Sequence, residues 1–281
     1  MTAPSDDAAV STATYVFAVC RRCDPRVLSA VTGHARATPV RSLRVGALEA
    51  VVQDVPAAEF SEDALRERLA DPVQLERCVR SHHGVVSAVA EHTAVVPLPL
   101  ATLYRGDERA RAALEENEHR FVRALARIAG RSEWGVKVYA RSVDPAGTPA
   151  QPTTAPVSSP GAGVSRSGAG RAYLDRVRDR QRAREDRHDA ALRAAELVDA
   201  RLREVAVAAR RLRPHGTERT GDRGVQVLNA TCLVADSRGG ELNSLIEEMR
   251  GDPALRGVEI ELSGPWAPYS FVQGGEADAG A

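Results

Sequence analysis

Between Gly170 and Arg213 the sequence contains no proline, and no glycine after its first residue. A stretch that long without a helix breaker predicts one continuous helix over 170–213. At full length such a helix would extend about 65 Å, more than the width of a small domain, so part of it is expected to protrude. The register indicates which part. Leu174 and Val177 begin an apolar seam, but Gln181, Arg184 and His188 occupy its next positions. Ala191, Ala195, Val198, Leu202, Val205, Ala209 and Leu212 then complete it. Only the second half therefore has a face to bury. The first half interleaves arginines with Asp175, Asp179, Glu185, Asp186 and Asp189, the pattern of a solvated, salt-bridged helix.

The rest of the chain supplies short strands and helices. Thr14–Cys20 is β-branched and aromatic, a buried strand. Asp24-Pro25 caps a short helix reaching about Val31. Val40–Val45 and Leu48–Val55 read as a hairpin around Gly46-Ala47. Ser61 and Asp71-Pro72 open two helices, the second running to about His92 with Leu75, Cys78, Val79, His82, Val86 and Val89 on one face. Thr93–Leu98 reads as a strand, Asp107–Ala129 as one amphipathic helix, and Glu133–Tyr139 as an alternating strand.

Ser142–Ala169 is rich in Pro, Gly, Ser, Thr and Ala, without hydrophobic periodicity, and reads as a flexible linker. Gly224–Ala235 and Val258–Leu262 are strands flanking a helix at Glu241–Arg250. The predicted fold class is α+β with two domains and the long protruding helix. Each domain has a small mixed or antiparallel sheet with helices, of ferredoxin-like character. The expected organisation is an N-terminal domain over 12–141, a linker over 142–169, a C-terminal domain over 170–262, and a Pro/aromatic tail over 263–281.

Chemistry is sparse. The 38 basic and 38 acidic residues cancel, so no global field attracts nucleic acid or an anionic membrane, and neither is an expected partner. Lys137 is the only lysine, which coding bias explains better than any partner does. Met1–Thr12 lacks a basic n-region and is not expected to be a signal peptide, and no apolar run approaches a membrane span. A cytoplasmic protein is the expectation. Cys20-Arg-Arg-Cys23 has redox or zinc spacing, but no second ligand pair accompanies it; Cys20 is expected to end a strand in the core. His82 shares an apolar helix face and reads as a core histidine held by a hydrogen bond, with His83 and His92 solvated. No Walker A, GxSxG or strand-borne GxGxxG motif is present. Catalytic, cofactor and metal sites are all expected to be absent.

Ser263-Gly-Pro-Trp-Ala-Pro-Tyr-Ser-Phe-Val272 is the most specific segment. Two prolines stiffen it, and Trp266, Tyr269 and Phe271 give it large apolar area. Such a tail can fold back to plug a core, or anchor a partner protein.

The segment Leu262-Ser-Gly-Pro-Trp-Ala-Pro-Tyr-Ser-Phe271 resembles the "TGPWPPYSF" signature of the gas vesicle GvpL/GvpF family. Arg171-Ala-Tyr-Leu174 is similar to that family's "YL" helix start, and Glu133-Trp-Gly-Val-Lys137 to its "EW-x-VK" strand. Leu75-Glu76, His82, Val96-Pro-Leu98 and Thr102 follow its "WLE…H…vlPlrfGT" stretch, with two departures. Gln74 stands where tryptophan is common, and Pro99-Leu100-Ala101 replaces an Arg-Phe-Gly type of turn. The matches run in order from about Tyr15 to Phe271.

The resemblance implies a non-enzymatic accessory or minor structural protein of gas vesicle formation, with two α+β domains, the second ferredoxin-like. Its implied partners are the small, very hydrophobic shell protein (GvpA type) and other gas vesicle accessory proteins. The residues singled out as structural or partner-contact candidates are His82, Pro97, Trp134, Tyr173, Pro265, Trp266, Tyr269 and Phe271. A small-ligand-sensing regulatory module is the competing reading, because ferredoxin-like domains often bind metabolites.

Overall fold

The computed structural model describes residues 11–141, 166–214 and 224–272. These form a mixed α+β structure that divides into two compact units. Unit 1 takes described residues 11–134, 233–236 and 264–272; unit 2 takes the remainder. The expected linker falls largely on 142–165, outside the described residues.

Unit 1 is built on β1 (Thr12–Cys20), whose last seven residues are buried. Its run Tyr15–Cys20 is buried throughout, which is why the sequence there is continuously apolar rather than alternating. β2 (Val40–Val45) and β3 (Leu48–Pro56) form the expected hairpin, and the sheet order is β2-β3-β1-β4, with β4 at Val95–Pro97. The β2–β3, β3–β1 and β1–β4 pairings are all antiparallel, the order and sense of a ferredoxin-like split βαβ unit. β5 (Leu103–Tyr104) adds a short pairing to β1.

The helices that cover this sheet are α1 (Pro25–Ala30), α2 (Glu62–Ala70) and α3 (Pro72–Ala90), with α4 (Asp107–Glu115) and α5 (Glu118–Ile128) later in the chain. Asp24, Ser61 and Asp71 act as side-chain N-caps, as their sequence context predicts. Two readings are corrected. Asp107–Ala129 is two helices rather than one, broken at Asn117, which leaves helical dihedrals and donates Nδ2 to the Ala113 carbonyl. In α3 the inward face begins at His82, followed by Val85, Val86 and Val89; Leu75 and Val79 lie at the surface.

In unit 2 the sheet order is β7-β8-β6-β9, from β6 (Arg131–Ala140), β7 (Ala208–Arg211), β8 (Val225–Ala235) and β9 (Val258–Trp266); the last residues of β9 and β8 and the first of β6 count with unit 1. α6 (Arg166–Val205) is the long helix and α7 (Gly239–Gly251) the short one. Burial follows the predicted register: the described side chains from Leu174 to Ala190 are exposed, whereas Ala191, Ala195, Val198, Leu202 and Val205 are buried.

The boundaries of α6 differ from those read in the sequence. It starts at Arg166, inside the expected linker, and ends at Val205 instead of Arg213. Beyond Val205 the chain becomes edge strand β7, and Leu212 N donates to the Asn229 carbonyl at 2.7 Å. Sheet pairing with β8 offers these backbone groups partners that a helix would otherwise supply, so tertiary context overrides helical propensity. Arg238 fixes the helix end by donating to the Val205 carbonyl at 2.8 Å. Asp199, buried, accepts from both Arg203 and Arg211 at 3.0 Å, tying the last turns of α6 to β7.

Candidate functional site

The tail is placed by its own backbone chemistry. β9 runs into Gly264, whose φ of +131° lies where side chains are rarely accommodated. A Cβ there would stand 3.0 Å from the Glu133 carbonyl oxygen and 3.1 Å from the Trp134 ring, so glycine is required twice over. The Gly264-Pro265 peptide is cis. Glu133, buried, then grips the returning chain: Ser270 donates its N–H at 2.8 Å and its hydroxyl at 2.5 Å to the carboxylate. Arg127 donates to the Phe271 carbonyl at 2.9 Å.

This geometry sorts the tail's side chains. Ala267 enters a hydrophobic cluster with Tyr15, Phe17, Val85, Val86 and Val89, and Phe271 is buried. Tyr269 is half-buried, and burial followed by the nearby Glu133 charge pushes its phenol pKa up. Trp266 remains 46 % exposed and Pro265 is exposed. The segment thus folds back as a plug through Ala267 and Phe271 and leaves one large aromatic at the surface.

That aromatic continues a stripe on α3. Leu75, Val79 and His83 follow one another at four-residue steps on the same helix face. Val79 is 47 % exposed and Leu75 36 %. The His83 ring lies 5.5 Å from Trp266 and 6.0 Å from Tyr269. Leu75, Val79, His83 and Trp266 therefore line up as an apolar and aromatic strip on unit 1. A groove of 720 Å³ in the same unit is floored by Val96, Pro97, Leu98, Phe121, Ala124 and Val272 and rimmed by Arg120, Arg123 and Arg127.

The remaining sequence candidates separate into those at the strip and those behind it. His82 is buried on the opposite flank of α3 from solvent, its Nδ1 2.9 Å from the Tyr15 hydroxyl, which in turn accepts from Ala101 N at 3.0 Å. Pro97 is buried at the end of β4, and Trp134 is buried in β6 beneath Gly264. Tyr173 lies in α6, its side chain outside the described residues. Sequence reasoning missed His34, whose ring stacks on Phe17 at 5.5 Å. It also missed Gln53, fully buried, which accepts from His34 N and Ala35 N and donates to the Thr32, Ala35 and Thr38 carbonyls. A glutamine among the apolar residues Val51, Val52 and Val55 of one strand was the available signal.

Cys20 and Cys23 are joined as a disulfide, with both residues buried. Among the described residues no three His, Cys, Asp or Glu side chains converge as a metal site, and no helix is long and apolar enough to cross a membrane.

Comparison with known proteins fits this geometry. The family model described as "Gas vesicle synthesis protein GvpL/GvpF" matches residues 13–273. The chain belongs to the gas vesicle GvpL/GvpF family. It is 39 % identical to Gas vesicle protein L of Streptomyces sp. (strain CB03234) over 267 residues, 94 % of each chain. It is 24 % identical to Gas vesicle protein F2 of Halobacterium salinarum over 245 residues, 86 % of this chain and 84 % of that one. Its fold matches the crystal structure of GvpF from Anabaena sp. PCC7120 with a TM-score of 0.62 at 14 % identity, covering 94 % of this chain and 97 % of the other. GvpF from Microcystis aeruginosa matches at 0.60, also at 14 % identity, over 93 % and 99 %. The GvpL/GvpF signature positions read in the tail are those that the backbone of Gly264 and the Glu133 clamp hold in place.

Proposed function

We propose that this GvpL/GvpF protein is an accessory or minor structural protein of gas vesicle formation. It acts in the cytoplasm at the assembling vesicle and docks the small hydrophobic shell subunit (GvpA type) on unit 1, with other accessory proteins as further partners. Family membership supports the assembly role, and the exposed Leu75–Val79–His83–Trp266 strip supports the docking reading. The observation that carries it is Trp266. A tryptophan held by a conformationally specified Gly-Pro turn, yet left half-exposed, contributes more to a contact than to the core. The reading assigns no catalytic group.

Co-purification of the full-length tagged chain with the shell subunit and with each accessory protein tests the proposal. Full length is needed because residues 264–272 complete unit 1. Shell subunit is expected in the eluate and expected to be lost in a Val79→Ser/Trp266→Ser double variant. Retention of the subunit by that variant would move the docking face elsewhere. Recovery of accessory proteins alone would make the chain a scaffold.

A further inference from the structure

A second surface lies wholly within unit 2 and does not depend on the preceding reading. A groove of 1010 Å³ runs along the middle of α6, closed on its other side by Ala140-Arg141, Val225 and the turn Ala254–Val258. Arg180, Arg184, Arg187 and His188 line it from α6, and Arg141 and Arg256 line it from the opposite wall. Its floor is apolar, from Ala183, Ala191, Ala194, Val225 and Val258. No carboxylate is among the lining residues. Among the described residues none of these five arginines makes an ion pair, and Arg187 donates only to the Ala183 carbonyl.

The carboxylates of α6, which alternate with arginines along the sequence, are absent from the groove face. Arg180, Arg184, Arg187, Ala191 and Ala194 are spaced by three and four residues and share the groove face. Asp175, Asp179, Glu185, Asp186 and Asp189 lie off that face, interleaved with Arg178, Arg182 and Arg193, and Asp175 pairs with Arg178. Like charges gathered around an apolar floor repel one another, and an occupant bearing carboxylates relieves that cost. The far wall is firmly set: Arg141 N donates to the Gly257 carbonyl at 3.0 Å, and the Asp252 carboxylate caps the turn at Ala254 N.

We infer that this groove is a docking site for an acidic amphipathic helix of another protein, its apolar face on the alanine floor and its carboxylates against the arginines. The chain's own sequence outside the described residues holds no acidic amphipathic stretch: 1–10 carry only Asp6 and Asp7, and in 215–223 Glu218 and Asp222 are matched by Arg219 and Arg223. Residues 142–165 hold a single carboxylate, Asp144, among many prolines, and 273–281 hold only Glu276 and Asp278. A nucleic-acid backbone would use the arginines but not the floor.

Fluorescence anisotropy of the full chain tests this. The probe is a labelled helical peptide of about 15 residues, the length of Arg180–Ala194, with alanine and leucine on one face and glutamate flanking it. Saturable binding is expected, weakening as salt is raised, and absent for the same peptide with lysine in place of glutamate. Arg180→Glu/Arg184→Glu/Arg187→Glu should weaken it at least about tenfold. Arg178→Glu/Arg182→Glu/Arg193→Glu changes the net charge equally on the far side and should leave it within about twofold. No binding, equal loss in both triple variants, or equal displacement of the peptide by single-stranded DNA at matched charge would overturn the inference. Unchanged helical circular dichroism in the groove variant separates lost docking from lost structure.

Discussion

Acid is expected to weaken unit 1 through its buried histidines. Burial pushes His82 down to about 4, and the same cause, with smaller contributions from the charges of His82 and Arg68, pushes His34 down to about 4. An unfolded histidine titrates near 6.5, so between these values the unfolded chain binds more protons and stability falls as pH falls. From about pH 7 to pH 4.5 each histidine should cost about 2 kcal/mol, the full shift of about 2.5 units being complete only below pH 4. The two rings influence each other, so their costs need not add. Asp107 is held below the usual carboxylate range by hydrogen bonding to Arg41, so its contribution is lost only at lower pH. Both tryptophans, Trp134 and Trp266, belong to unit 1, and urea unfolding followed by tryptophan fluorescence therefore reports this unit selectively. His82→Gln removes one titration and retains a hydrogen-bonding partner for Tyr15, so it should remove about half of the acid-dependent loss. An identical pH dependence in the variant, or an NMR titration of His82 near 6.5, would refute the reasoning.

Two substitutions probe the backbone that positions the strip. Ala101 holds a φ of +65°, the left-handed region, at the turn where the family pattern has glycine. Ala101→Gly should stabilise unit 1 by about 0.5–1 kcal/mol in the same urea assay, relief of strain exceeding the added unfolded-state entropy. Gly264→Ala should instead cost about 1–3 kcal/mol, because the new Cβ meets backbone and the Trp134 ring in a forbidden conformation. It should also alter the fluorescence of Trp266 before any unfolding.

Much of this architecture was legible because it follows periodicity. The buried β1 run, the β2–β3 hairpin around Gly46-Ala47 and the capped starts of α1, α2 and α3 all announce themselves locally. The apolar register of α6 also predicted where its burial begins, at Ala191. What was hidden depends on residues far apart in sequence. Val205 to Leu212 keeps helical spacing, but β8 supplies competing backbone partners. Leu75 and Val79 carry the same periodic signal as Val86 and Val89, and only the placement of the sheet decides which pair is covered. Glu133 and Gln53 looked like ordinary polar residues in strands until the segments they clamp came back to meet them.

The division of unit 1 among three stretches of chain has a consequence for synthesis. During translation, residues up to Trp134 emerge first, yet Ala267 and Phe271, which fill positions in the same interior, leave the ribosome only after all of unit 2. A nascent chain therefore carries an unsealed first sheet throughout the making of the second. The surface bearing Trp266 comes into being only after unit 2 has been made, so a product terminated just before residue 264 would hold a complete unit 2 and no finished strip.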